Sequence, residues 1–87
     1  MRTVYKYPIS LDGTTKLKLY GTILHVGLQD GQIKLWAIYD DSNPPVEVQF
    51  YVAGTGHQIP ERIDKSKHIG TCVGPVFVWH VFAERTD

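Results

Sequence analysis

Two runs of alternating apolar and polar residues meet at Asp30-Gly31, and no other feature constrains the fold of this chain as tightly. Asp-Gly between alternating runs favours a two-residue type I′ turn, because both central positions require positive φ. Such a turn fixes the register, setting Leu28 opposite Ile33, Val26 opposite Leu35 and Leu24 opposite Ala37. Side chains paired across a hairpin share a face, so these six apolar residues gather on one side. Turn chemistry and hydrophobic pattern agree without depending on each other. The opposite face carries Ile23, His25, Lys34, Trp36 and Ile38, with His25 directly across from Trp36. A mixed face of this kind fits either a Trp packed beneath a loop or a surface that contacts a ligand or partner.

The remaining chain repeats the theme of short β runs divided by turn residues, with no segment of helical period. Arg2 to Ile9 alternates around Tyr5 and Tyr7, and Pro8 marks an edge strand or a strand end. Leu11 to Thr14 is a turn, followed by alternating runs at Lys16–Tyr20 and Thr22–Gln29. Asp40 to Pro45 reads as a loop. Val46, Val48, Phe50 and Val52 then point one way, and Glu47, Gln49 and Tyr51 the other. Gly54 to Ser66 is irregular, with one short helical turn expected near residues 60–66, where Pro60 suits a helix start. Lys67–Val73 and Val76–Phe82 form a last pair around Gly74-Pro75. The final run is apolar on both faces, which places it centrally in a sheet or beneath another subunit. The expected fold is all-β: about six mostly antiparallel strands in a compact sandwich or partly open barrel, one domain over residues 1–87.

Composition narrows the function classes. A chain of 87 residues buries only about 60% of the surface its unfolded form exposes, so the core is thin and a homo-oligomer is expected. Nine basic residues balance nine acidic ones. That balance argues against bulk nucleic-acid binding, against an anionic membrane and against mimicry of DNA. The single cysteine, Cys72, cannot form an internal disulfide. No apolar run has the length of a signal peptide or a membrane span, so a cytoplasmic, soluble chain is expected.

Candidate chemistry is sparse. Gly54-Thr55-Gly56-His57 lacks the third glycine and the following helix of a dinucleotide fingerprint. It is either an ordinary strand-exit turn or an anion-accepting loop. The four histidines, His25, His57, His68 and His80, show no metal-ligand spacing, and neither metal nor cofactor is expected. A two-residue turn at Gly74-Pro75 sets Cys72 opposite Phe77, on a face with Trp79 and Val81 and away from His80. It also sets His68 on the side of Cys72, which is then apolar and unreactive. The carboxylates fall mainly in turns, with no pair for acid–base work, so no enzyme is expected. Aromatics remain as the binding asset, with Tyr5, Tyr7 and Trp36 the expected exposed members. The candidate ligand- or partner-binding residues are Gly54, Thr55, Gly56, His57, Trp36, His25, Tyr5 and Tyr7.

The blocks Thr3–Pro8, Leu24–Gly31, Leu35–Ala37, Gly54–Pro60, His68–Thr71 and Phe77–Phe82, taken in order and spacing, resemble a family of small uncharacterised phage and prophage proteins. The resemblance implies phage or prophage origin and brings no established activity or catalytic residue. It fits an accessory protein in the host cytoplasm that acts by binding. One expectation is counter-defence by sequestering a nucleotide-type immune signal at an oligomer interface, with the Gly54–His57 loop on phosphate and Trp36 or Tyr7 on the base. The alternatives are direct inhibition of a host defence protein complex, and a structural or assembly role in the virion.

Overall fold

Seven strands form among the described residues: β1 (Arg2–Ile9), β2 (Thr14–Leu19), β3 (Ile23–Gln29), β4 (Gln32–Asp40), β5 (Val46–Gly54), β6 (His68–Val73) and β7 (Val78–Arg85). The structure, a computed structural model, describes residues 1–86. Every ladder is antiparallel. The strands make a three-stranded sheet in the order β1-β4-β3 and a four-stranded sheet in the order β2-β5-β7-β6. Together they are an open sandwich, all-β as the alternation requires.

The β3–β4 turn takes the left-handed geometry that Asp-Gly favours, with φ of 53° at Asp30 and 76° at Gly31. Leu28 pairs with Ile33 and Val26 with Leu35, but Leu24 does not reach Ala37. A bulge between Ile23 and His25 sets Ile23 opposite Ala37 instead and leaves Leu24 52% exposed. A bulge sets two residues against one and strengthens local twist. Here it carries β3 into the Gly21-Thr22 bend, where a Cβ on Gly21 would lie 2.5 Å from the Ile38 carbonyl oxygen. Ile23 accordingly packs against the core rather than beside Trp36.

The core lies between the two inner faces. Ile9, Val26, Ile33, Leu35 and Ala37 come from one sheet, and Leu19, Val48, Phe50, Val52, Cys72 and Val81 from the other. Each large apolar side chain so buried contributes about 1.5–3 kcal/mol. The sheets meet closely where β3 crosses β6. Gly70 leaves room there for Val26, whose Cγ1 would collide with any Cβ at that position.

β7 is central, between β5 and β6, as its two apolar faces require. The connection before it is longer than Gly74-Pro75 predicts. Gly74 to Phe77 form a four-residue loop closed by the Gly74 amide on the Phe77 carbonyl at 2.9 Å, and Cys72 faces Trp79. The loop is two residues longer, so parity is kept and Cys72 stays on the inner face, away from His80. His68 does not stay with Cys72. A bulge between His68 and Gly70 turns its side chain to the His80 side. The helical turn is a 3-10 turn at Lys65–Lys67, capped by the Asp64 carboxylate on the Ser66 amide, at the far end of the segment that begins at Pro60.

Candidate functional site

Strand alternation sends Gln49, Tyr51 and Ala53 of β5, His80, Phe82 and Glu84 of β7, and Thr71 of β6 to the outer face of the four-stranded sheet. The segment from Thr55 to Ser66 lies against this face. Phe82 is therefore only 7% exposed and Ala53 only 4%, although both point away from the core. Two cavities lie between segment and sheet.

At one end a chain of hydrogen bonds links the exit of β5 to β7 and β6. Thr55 Oγ1 contacts His80 Nε2 at 2.8 Å, Thr71 Oγ1 contacts His80 Nδ1 at 3.2 Å, and His68 Nε2 contacts Thr71 Oγ1 at 3.0 Å. Thr71 has one hydroxyl proton, so it donates to at most one of the two imidazoles, and the tautomers of the rings set the remaining roles. Both His80 nitrogens are engaged, which fixes the ring between Thr55 and Thr71. His68 also meets Phe82 edge-on, with ring centroids 5.4 Å apart. The His57 ring sits against Gly54, where a Cβ would lie 2.9 Å from Nδ1. A shallow cavity of about 320 Å³ opens here among Thr55, His57, Ile59, His68 and His80.

The Gly54–His57 loop is a strand-exit turn. The His57 amide donates to the Gly54 carbonyl and the Thr55 amide to the Val78 carbonyl, both at 3.0 Å, and Gly56 takes φ of 89°. Those two amides serve the fold. What the turn presents is the Thr55 hydroxyl and the His57 imidazole, not a nest of backbone donors.

At the other end a groove of about 270 Å³ is lined by Gln49, Tyr51, Arg62, Ile63, Lys67 and Arg85, among others. The Arg62 guanidinium lies 5.9 Å from the centroid of the Tyr51 ring, within cation–π range. Tyr51, Arg62 and Lys67 escape sequence reasoning because the pairing of a loop with a sheet face leaves no local pattern. The available signal was the outward phase of Glu47, Gln49 and Tyr51 on a strand whose other face is apolar.

The other sequence candidates lie elsewhere. His25 and Trp36 are together as expected, centroids 5.7 Å apart, on the outer face of the three-stranded sheet. That face and the Gly54–His57 turn are on opposite sides of the sandwich, so within one chain Trp36 and the turn do not share a small ligand. Tyr5 and Tyr7 lie opposite Ala37 and Leu35, on the inner face. Tyr7 is not an exposed member: it packs against the core, and burial, followed by the neighbouring tyrosines, raises its pKa. Tyr5 is exposed and stacks on Tyr39 at 4.6 Å, and Tyr20 meets Tyr39 at 4.9 Å. Burial also pushes the Cys72 thiol up. Among the described residues, no cluster of three or more His, Cys, Asp or Glu is placed to hold a metal ion. No helix among them is long and apolar enough to cross a membrane.

Residues 1–87 match a family model described as "Domain of unknown function (DUF7352)". The chain belongs to this family. Comparison with curated proteins and with solved structures finds no match. Membership in an uncharacterised family agrees with the sequence resemblance at that level.

Proposed function

We propose that this chain acts by binding, without catalysis, and that it holds a phosphorylated, nucleotide-type ligand beneath segment 55–67. The observation that carries the reading is the groove where Arg62 lies over Tyr51 beside Lys67. A half-buried aromatic ring offers a stacking surface for a base. Guanidinium and ammonium groups next to it supply charge-assisted donors for phosphate. The imidazoles and the Thr55 hydroxyl at the far end of the segment extend the polar lining. This arrangement moves the base-stacking role from Trp36 and Tyr7 to Tyr51.

The biological setting we propose is that of a phage accessory protein in the host cytoplasm, sequestering a nucleotide immune signal as a homo-oligomer. Its support is the sequence resemblance. Calorimetry against cyclic oligonucleotides and ADP-ribose derivatives tests it. One member of the panel is expected to bind and to be recovered unaltered. No heat across the panel, or recovery of a cleaved product, overturns it.

A second reading, direct inhibition of a host protein complex, is favoured by the apolar tip of the β6–β7 loop. Val73, Val76 and Phe77 are exposed there, with Phe77 5.6 Å from Trp79. A pull-down from host lysate returning one dominant protein, lost in Phe77→Asp, supports it; an empty lane counts against it. The virion role predicts the chain in purified particles.

A further inference from the structure

We propose that the free edge of β1 docks an extended strand of another protein whose sequence alternates acidic, any, apolar, any, acidic. The site is separate from the groove beneath segment 55–67 and does not depend on it.

The ladder settles which backbone groups of β1 face outward. In β4, the amides of Ile38 and Asp40 donate to the Thr22 and Tyr20 carbonyls at 2.8 and 3.2 Å, on the β3 side. Gln29 and Gln32 close the two-residue hairpin on the same side. Even-numbered residues of β4 therefore bond toward β3 and odd-numbered ones toward β1, since neighbouring residues in a strand bond in opposite directions. In the β1 register, Tyr39, Ala37 and Leu35 lie opposite Thr3, Tyr5 and Tyr7. Those three residues spend their backbone groups on β4, and Arg2, Val4, Lys6 and Pro8 turn theirs outward. Pro8, which has no amide proton, falls in the outward phase, where the ladder requires no donor.

Among the described residues, the outer side of this edge is unpaired. Edge strands are normally blunted by charge, by bulges or by a covering element. The edges of β3 and β6 pack together at Val26 and Gly70. β2 carries Lys16 and Lys18 in alternation. β1 likewise carries Arg2 and Lys6, the Lys6 ammonium also donating to Gln29 Oε1 at 2.7 Å, and leaves Val4 50% exposed between them. Arg2, Val4 and Lys6 share one face, so the edge reads cation, apolar, cation at two-residue spacing.

That charge pattern selects the occupant. A second copy paired antiparallel about Val4 uses every outward donor but sets Arg2 of each copy against Lys6 of the other. Like charges directly opposite are destabilising. A strand with carboxylates flanking an apolar residue sets opposite charges at both positions and an apolar pair at Val4. Main-chain bonds supply affinity and the alternate side chains supply selection, as in other strand-addition complexes.

The test uses the full chain, labelled with ¹⁵N, and two synthetic peptides: acetyl-Thr-Glu-Thr-Val-Thr-Glu-Thr-amide and its counterpart with Lys for Glu. The acidic peptide is expected to slow hydrogen exchange of the Val4 and Lys6 amides tenfold or more, and the basic one to leave them unchanged. Val4→Pro, an outward position like Pro8, removes the acidic peptide's effect while the Tyr5 and Tyr7 amides stay protected. In R2E/K6E the preference reverses to the basic peptide. Equal protection by both peptides, protection by neither, or protection that grows with protein concentration alone overturns the proposal, the last result assigning the edge to a second copy.

Discussion

The two outer faces of the sandwich are built by the same alternation and end in different states. On the three-stranded sheet, Val4, Lys6, His25, Lys34, Trp36 and Ile38 point outward and none is buried. On the four-stranded sheet, Phe82 and Ala53 point outward and both are buried. The difference is segment 55–67, which lies across the second face and meets it at Thr55, bonded to His80, and at Arg62, over the Tyr51 ring. A bare face is a surface. A covered face acquires cavities, an imidazole bonded at both nitrogens and a guanidinium over an aromatic ring, which is why the candidate site lies there.

The strongest way to break this comparison is to truncate the same kind of side chain on each face. Phe82→Ala is expected to cost about 3–5 kcal/mol, as for a core aromatic. Trp36→Ala, though the larger truncation, is expected to cost about 1 kcal/mol. Chemical denaturation of both variants measures the pair, and equal losses would mean that the segment does not bury its face.

Next in size is His80→Ala. Losing the contacts to Thr55 and Thr71 is expected to cost about 1–2 kcal/mol. Hydrogen exchange of residues 55–59 should quicken while that of β4 does not. A uniform change across both sheets would deny the imidazole its local role.

Acid provides a smaller, graded test. Hydrogen bonds from the Ser66 amide, then its hydroxyl, hold the Asp64 carboxyl below the usual carboxylate range. A depressed carboxylate stabilises the fold above its unfolded pKa, and that contribution is lost as pH falls through the folded value. Exchange protection in residues 62–67, taken relative to the intrinsic rate at each pH, is expected to fall as pH drops below the ordinary carboxylate range, and Asp64→Asn should flatten that dependence. Asp40, lowered by Ser42, titrates in the same window at the β4–β5 turn, so the amides must be read one by one.

The three-stranded sheet was far more legible in the sequence than the site. Asp30-Gly31 determined a turn and a register, and the doubly apolar last run identified a central strand. Parity alone kept Cys72 away from His80. The bulges at Leu24 and Ile69 were not legible, because they answer to sheet coiling and to the β3–β6 crossing, which no local window contains. The bulge beside His68 mattered most, since it delivers that ring to Thr71 and Phe82. Gly54, Thr55, Gly56 and His57 drew notice as a glycine-rich string, yet two of their amides serve a turn. The neighbours that give the region its chemistry, Tyr51, Arg62, Thr71 and His80, are scattered over 30 residues and meet only through the fold.

The central claim, that the covered face binds a nucleotide-type ligand through Arg62 and Tyr51, is tested most directly by calorimetry on the wild-type chain and three variants. For the panel member bound by the wild-type chain, Arg62→Ala and Tyr51→Ala are each expected to weaken binding about tenfold or more, roughly 1.4 kcal/mol or greater. Trp36→Ala should leave the affinity unchanged. Undiminished affinity in both groove variants, or a loss confined to Trp36→Ala, would contradict the account.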